Sequence, residues 1–175
     1  MGEFIDMAAV LAPLERTRSG LEKLGATARC YPARSDRTLV VYDEATGDFA
    51  KVESLSRELG VAAFACHIHD GDLWLYEFYL NGVPTDRFNS LPEYWGDISL
   101  EEKADWKGDA DMLARHWPGL DADSVRFYLC DQQEYFDEPD TKAYPEDEHA
   151  YNDCWQLTDF LRKLGTPYPS SLDES

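Results

Sequence analysis

Two closely spaced turn dipeptides, Asp70-Gly71 and Asn81-Gly82, constrain this chain more than any other feature. Each is flanked by apolar and aromatic residues, and both central positions of a two-residue hairpin loop need positive φ, which Asp-Gly and Asn-Gly supply. Residues 61–90 therefore read as a three-stranded antiparallel meander. With Asp70 and Gly71 as the first loop, His69 stands opposite Asp72, His67 opposite Trp74 and Ala65 opposite Tyr76. The second loop sets Tyr76 against Arg87, Trp74 against Asn89 and Leu75 against Phe88. Alternation along the strands then gives one core face (Phe64, Cys66, Ile68, Leu73, Leu75, Phe88) and one mixed face (His67, His69, Asp72, Trp74, Tyr76, Arg87, Asn89). A face both aromatic and polar is a ligand platform or a seat for another element. Large aromatics seldom stay in water, which favours the seat.

The rest of the chain supplies elements around this meander. Three segments, Leu21–Gly25, Leu55–Gly60 and Leu161–Gly165, end in Leu-Gly after basic residues, the signature of a last helical turn. MAAVLAP from Met7, TARCYPA and TLVVYDE read as strands, and helices are expected from Pro13 to Gly25 and from Asp48 to Leu59. The order strand, helix, strand, strand, helix, strand matches a ferredoxin-like, split βαβ unit extended by the meander. The fold class is α+β, a mostly antiparallel sheet with helices packed on it.

After Pro92 a helical region is expected over Leu100–Trp117, interrupted at Gly108, with Leu100, Trp106, Met112 and Leu113 buried. A strand over Val125–Cys130, an acidic surface loop over 131–147 and an amphipathic helix from His149 to Leu164 come next. That last helix, bearing Tyr151, Trp155 and Phe160, is the natural cover for the mixed face. One domain over 1–175 is expected, with a sheet core at 7–95 and an acidic extension at 96–175. MGEFID, residues 1–6, reads as a possible leader or tag remnant ahead of Met7.

Charge excludes some functions. The formal net charge is −19, and residues 91–175 hold 21 of the 35 acidic side chains against 7 of the 16 basic ones. Such a field disfavours nucleic-acid phosphates and anionic lipid, and it favours a basic protein partner. No apolar run approaches the roughly 20 residues that span a bilayer, and no secretory signal is visible. The four cysteines form no CxxC pair, which argues against a zinc knuckle and for a reducing cytoplasm.

Catalytic motifs are absent from the sequence: it contains no GxSxG elbow, no Walker loop and no GxGxxG. His67 and His69 form an HxH pair with Asp72 across the turn, the one metal-ligand pattern, for which His116, His149 or a loop carboxylate would supply a further ligand. Histidines hydrogen-bonded within the fold are the commoner outcome of such a pattern.

The run LSRELG-VAAFACHIHDGDLWLYEFYLNG-VPTDRFNSLPEYW resembles a pattern of small acidic bacterial α+β proteins of uncharacterised function. In size and charge the chain is similar to immunity proteins of bacterial toxin systems. The resemblance implies a small cytoplasmic α+β protein and carries no catalytic assignment with it. The acidic stretch itself points to a non-enzymatic binding protein, monomeric or homodimeric and without cofactor, whose surface would be Asp131, Glu134, Tyr135, Phe136, Asp137, Glu138, Asp140, Tyr144, Glu146, Asp147 and Glu148, with carboxylates steering a basic protein and aromatic rings anchoring it. The alternative is a metal-dependent enzyme or small-ligand binder using the His67, His69 and Asp72 face.

Overall fold

Six strands pair into one antiparallel sheet, and the computed structural model describes residues 2–170 of the chain. The strands are β1 (Ile5–Val10), β2 (Ala28–Arg34), β3 (Arg37–Tyr42), β4 (Ala62–His69), β5 (Leu73–Leu80) and β6 (Val83–Asn89). Their order across the sheet is β2-β3-β1-β4-β5-β6. Helix α1 (Leu14–Lys23) connects β1 to β2, and α2 (Ala50–Leu59) connects β3 to β4. β3 lies between β1 and β2, so a split βαβ connection is followed by the meander. Ile5 and Asp6, in the stretch read as a leader, belong to β1.

The two faces of the sheet carry different cores. Ala8, Val10, Val40, Ala63, Ala65 and Tyr79 point to α1 and α2, where Leu21, Val52, Leu55 and Leu59 meet them. The opposite face presents Met7, Phe64, Cys66, Trp74, Tyr76, Phe78 and Phe88 to the C-terminal half. There Trp117, Val125, Tyr128, Leu157, Phe160 and Leu164 close over the aromatic rings. Phe160 stacks on Tyr76 with ring centroids 5.5 Å apart, and it meets Phe64, Trp74 and Tyr128 at 5.4–5.9 Å.

The meander forms where expected, but its middle strand is turned over. Asp70 and Gly71 both have positive φ, yet His69 pairs with Leu73, because Asp72 remains in the loop as an extra residue. Cys66 is then opposite Tyr76 and His67 opposite Leu75. The Asn81-Gly82 loop has two residues, as the sequence predicts, with Leu80 opposite Val83. A bulge at Thr85 then shifts the register, so that Tyr76 meets Phe88 and Leu75 meets Asn89. A shift of one residue moves every side chain of a strand to the other face. Trp74 and Tyr76 are therefore core, without measurable exposure, and do not share a face with His67, His69, Arg87 and Asn89.

The C-terminal half departs further from expectation. Helices α3 (Leu100–Asp105) and α4 (Ala110–His116) are separate, with Gly108 between them at φ +71°. A β-carbon at Gly108 would lie 2.8 Å from the Tyr76 hydroxyl, so both backbone and packing demand glycine there. Ser99 and Glu102 form a capping box at the start of α3, but Leu100 is 87% exposed instead of buried. Val125–Cys130 is not a strand; it is built of 3-10 turns that tuck Val125 and Tyr128 into the core. Helix α5 spans only Gln156–Lys163, and turns replace the helix expected from His149. No helix among the described residues is long and apolar enough to cross a membrane.

Candidate functional site

The candidate residues gather in two regions, one at the end of the sheet and one on its C-terminal cover. At the sheet end, β1 places Asp6 directly opposite His67 of β4. Asp6 is 2% exposed, and its carboxylate accepts hydrogen bonds from four donors. These are His67 Nδ1 at 2.5 Å, the backbone amides of Thr46 and Gly47 at 3.0 and 3.2 Å, and the Lys51 ammonium. Lys51 comes from the first turn of α2 and also sits 4.4 Å above the Tyr42 ring. Burial pushes the Asp6 carboxyl up, but the hydrogen bonds from His67 and Lys51, with their charges, outweigh it and hold it below the ordinary carboxylate value.

The chain of contacts continues to His69, whose Nδ1 lies 3.2 Å from His67 Nε2. An ionised Asp6 only accepts, so His67 Nδ1 carries a hydrogen. Where His67 Nε2 keeps its lone pair, His69 Nδ1 donates to it and His69 Nε2 is left as an acceptor; where His67 Nε2 carries a hydrogen, it donates to His69 Nδ1. Burial, followed by the neighbouring His67, lowers the pKa of His69. Phe4, Trp95 and Tyr94 surround His69 with ring centroids 4.9, 5.0 and 5.7 Å away. A cleft of about 410 Å³ opens here, lined by Phe4, Thr46, Gly47, His67, His69 and Trp95, among others.

Asp72, expected beside the histidines, lies near enough to act on His69 through its charge but is hydrogen-bonded to Tyr94 and not to either imidazole. Its carboxylate accepts from the Tyr94 hydroxyl at 3.0 Å, as does that of Asp70 at 3.3 Å, and the Asp72 bond pushes the Tyr94 phenol up to about 12. Among the described residues no group of three or more His, Cys, Asp or Glu side chains is arranged to hold a metal ion. Of the rest of the expected mixed face, Arg87 lies over the Trp106 ring at 4.2 Å and the Asn89 side chain accepts from the Leu91 amide. The cysteines are all free; burial raises the pKa of Cys66 and lifts Cys130 to about 11, so neither is an activated thiolate.

On the cover, the residues of the acidic segment split into two roles. Asp147 is buried: Tyr128 donates its hydroxyl to Oδ1 at 2.6 Å and Tyr144 its amide to Oδ2 at 3.0 Å. Burial raises the pKa of Asp147 despite these bonds. The Tyr144 hydroxyl donates to the Asp123 carbonyl, and Asp131 pairs with Lys103 at 2.6 Å. These three residues tie the segment to the molecule. Tyr135 stacks on the buried Tyr151 at 4.1 Å, and Asn152 donates to the Tyr135 carbonyl.

Beyond that anchor, Glu134, Phe136, Asp137, Glu138 and Asp140 are exposed, Phe136 to 54%. Among the described residues no ion pair neutralises Glu134, Asp137, Glu138 or Asp140. Glu146 and Glu148, also exposed, pair with Lys163 and Arg162 of α5. Phe127, 59% exposed, lies 5.5 Å from the Tyr144 ring on the same cover.

Several of these residues escape a reading of the sequence alone. Phe4 and Asp6 fall in the stretch read as a leader, Lys51 in a helix and Trp95 beyond the last strand. The visible signal for Asp6 is a carboxylate one position before an apolar strand, two residues from Ala8 on the same face. Comparison with protein-family models, with curated proteins and with solved structures gives no match.

Proposed function

We propose that this chain is a non-enzymatic binding protein that takes a basic protein partner on the acidic tip at residues 134–140. One observation carries the reading: the half-exposed ring of Phe136 stands among four exposed carboxylates that form no ion pair with any of the described residues. The Tyr135–Tyr151 stack beneath them holds the backbone in place, so little ordering is required on association. Unpaired carboxylates attract a basic surface from a distance and speed encounter, while a buried aromatic anchor slows release. Neutralisation of a basic toxin domain is the biological role that fits such a surface.

The test is capture of partners from the native host with the unaltered chain and with a variant carrying Glu134→Gln, Asp137→Asn, Glu138→Gln and Asp140→Asn. The unaltered chain recovers a basic protein whose affinity falls steeply between low and high salt. The neutralised variant loses most of that capture, and Phe136→Ala shortens the lifetime of the complex without changing its salt dependence. Equal recovery by the neutralised variant, or no specific protein at any ionic strength, would sink the proposal.

A further inference from the structure

We propose that the cleft beside His69 is a second binding site, independent of the acidic tip, for a neutral or cationic planar molecule of one or two rings that donates an N–H or O–H to His69 Nε2. The hydrogen-bond chain is the first argument. Asp6 holds a hydrogen on His67 Nδ1, and in the proposed arrangement His67 Nε2 accepts the Nδ1 hydrogen of His69, through contacts of 2.5 and 3.2 Å. The last acceptor of that chain belongs to a ring lining the cleft, and no hydrogen bond from the described residues reaches it. A buried carboxylate polarising two imidazoles in series makes the terminal nitrogen a better acceptor than an isolated histidine.

The walls are the second argument. Phe4 and Trp95 keep 46% and 62% of their surface exposed, although both touch His69 edge-on. Two open aromatic faces beside one oriented acceptor suit a flat ring that stacks and donates at its edge. The volume, about 410 Å³, lies in the range of small-ligand sites, roughly 300–1,000 Å³. Charge sets the remaining preference. Asp70 and Asp72 adjoin His69 at the turn and Asp6 lies behind it, against the single ammonium of Lys51, so an anion is disfavoured.

Titration with indole and with 1-methylindole tests the proposal, followed by NMR of the His69 and Trp95 side chains. The two molecules share a ring system and differ in the donor. Indole binds about two- to tenfold tighter, the worth of one hydrogen bond. In His69→Phe, which keeps a ring but removes the acceptor, the two bind equally. Trp95→Ala changes a largely exposed ring, leaves the fold intact and weakens both. Indole-3-acetate, with its added carboxylate, binds more weakly than indole. Equal binding of indole and 1-methylindole to the unaltered chain overturns the proposal, as does the absence of any perturbation at His69 and Trp95. Retention of the preference in His69→Phe, or tighter binding of the acetate, overturns it equally.

Discussion

The two faces of the sheet solve the same burial problem with opposite materials. Beneath α1 and α2 the sheet offers small side chains, Ala8, Ala63 and Ala65, and two regular helices lie flat on them. Beneath the C-terminal half it offers Phe64, Trp74, Tyr76, Phe78 and Phe88, and the cover is turns and short helices. A regular helix brings its own apolar stripe and needs a smooth seat. An irregular segment cannot satisfy its backbone by itself, so it relies on side chains that bond and plug. Asp159 does both: fully buried, its carboxylate accepts from the backbone amides of Glu148 and His149 at 3.1 and 2.8 Å. The helix face is held by fit, and the other by rings and tethers.

That contrast makes Phe160→Ala the most damaging single truncation. Phe160 is fully buried among four aromatic rings, so its loss costs about 4 kcal/mol in urea unfolding. Leu55→Ala, equally buried under the helix face, costs about 3 kcal/mol. A larger loss for Leu55→Ala would break the comparison.

Asp6 belongs to the helix face, and removing it leaves His67 and Lys51 facing a buried gap. Asp6→Ala costs about 3 kcal/mol at pH 7. Its carboxyl is held below the ordinary 3.8 in the folded chain. The stabilisation is thus fully present above the unfolded value and is lost as pH falls through the depressed folded one. Thermal melts of the two proteins should differ most near neutrality and converge as the pH falls through the depressed folded value. A gap that stays constant into acid would show that Asp6 acts through packing instead of charge. At the small end, Leu100→Ser on the outside of the cover shifts stability by no more than about 0.5 kcal/mol, because Leu100 is 87% exposed. A loss above about 1 kcal/mol, by the same unfolding measurement, would mean that Leu100 packs in solution.

Legibility in the sequence depends on which signals are local. The Leu-Gly helix ends, the positive φ of Asp70 and Asn81 and the element order through β6 all lie within a few residues of their cause. The acidic cover was legible as a charged surface, but not the inward turn of Asp147 and Tyr144. Those depend on Tyr128 and Asp123, in a stretch whose apolar run imitates a strand. The cleft was hidden for a different reason. Asp6 and His67 are 61 residues apart, and only the pairing of β1 with β4 brings them together.

Asp72 and Thr85 have a joint arithmetic. Each adds one residue to a hairpin, so each changes the parity of the strand after it: the first inverts β5 against β4, the second restores β6. His67 and Asn89 thus remain in one row across the sheet, with Leu75 between them in place of Trp74. For lineages that gain or lose residues here, the two hairpins are coupled: one deletion leaves the outer strands out of phase, whereas a matched pair of deletions keeps them in phase. Even the paired event would exchange the side chains of β5, carrying Trp74 and Tyr76 under the helices and Leu75 and Glu77 beneath Phe160.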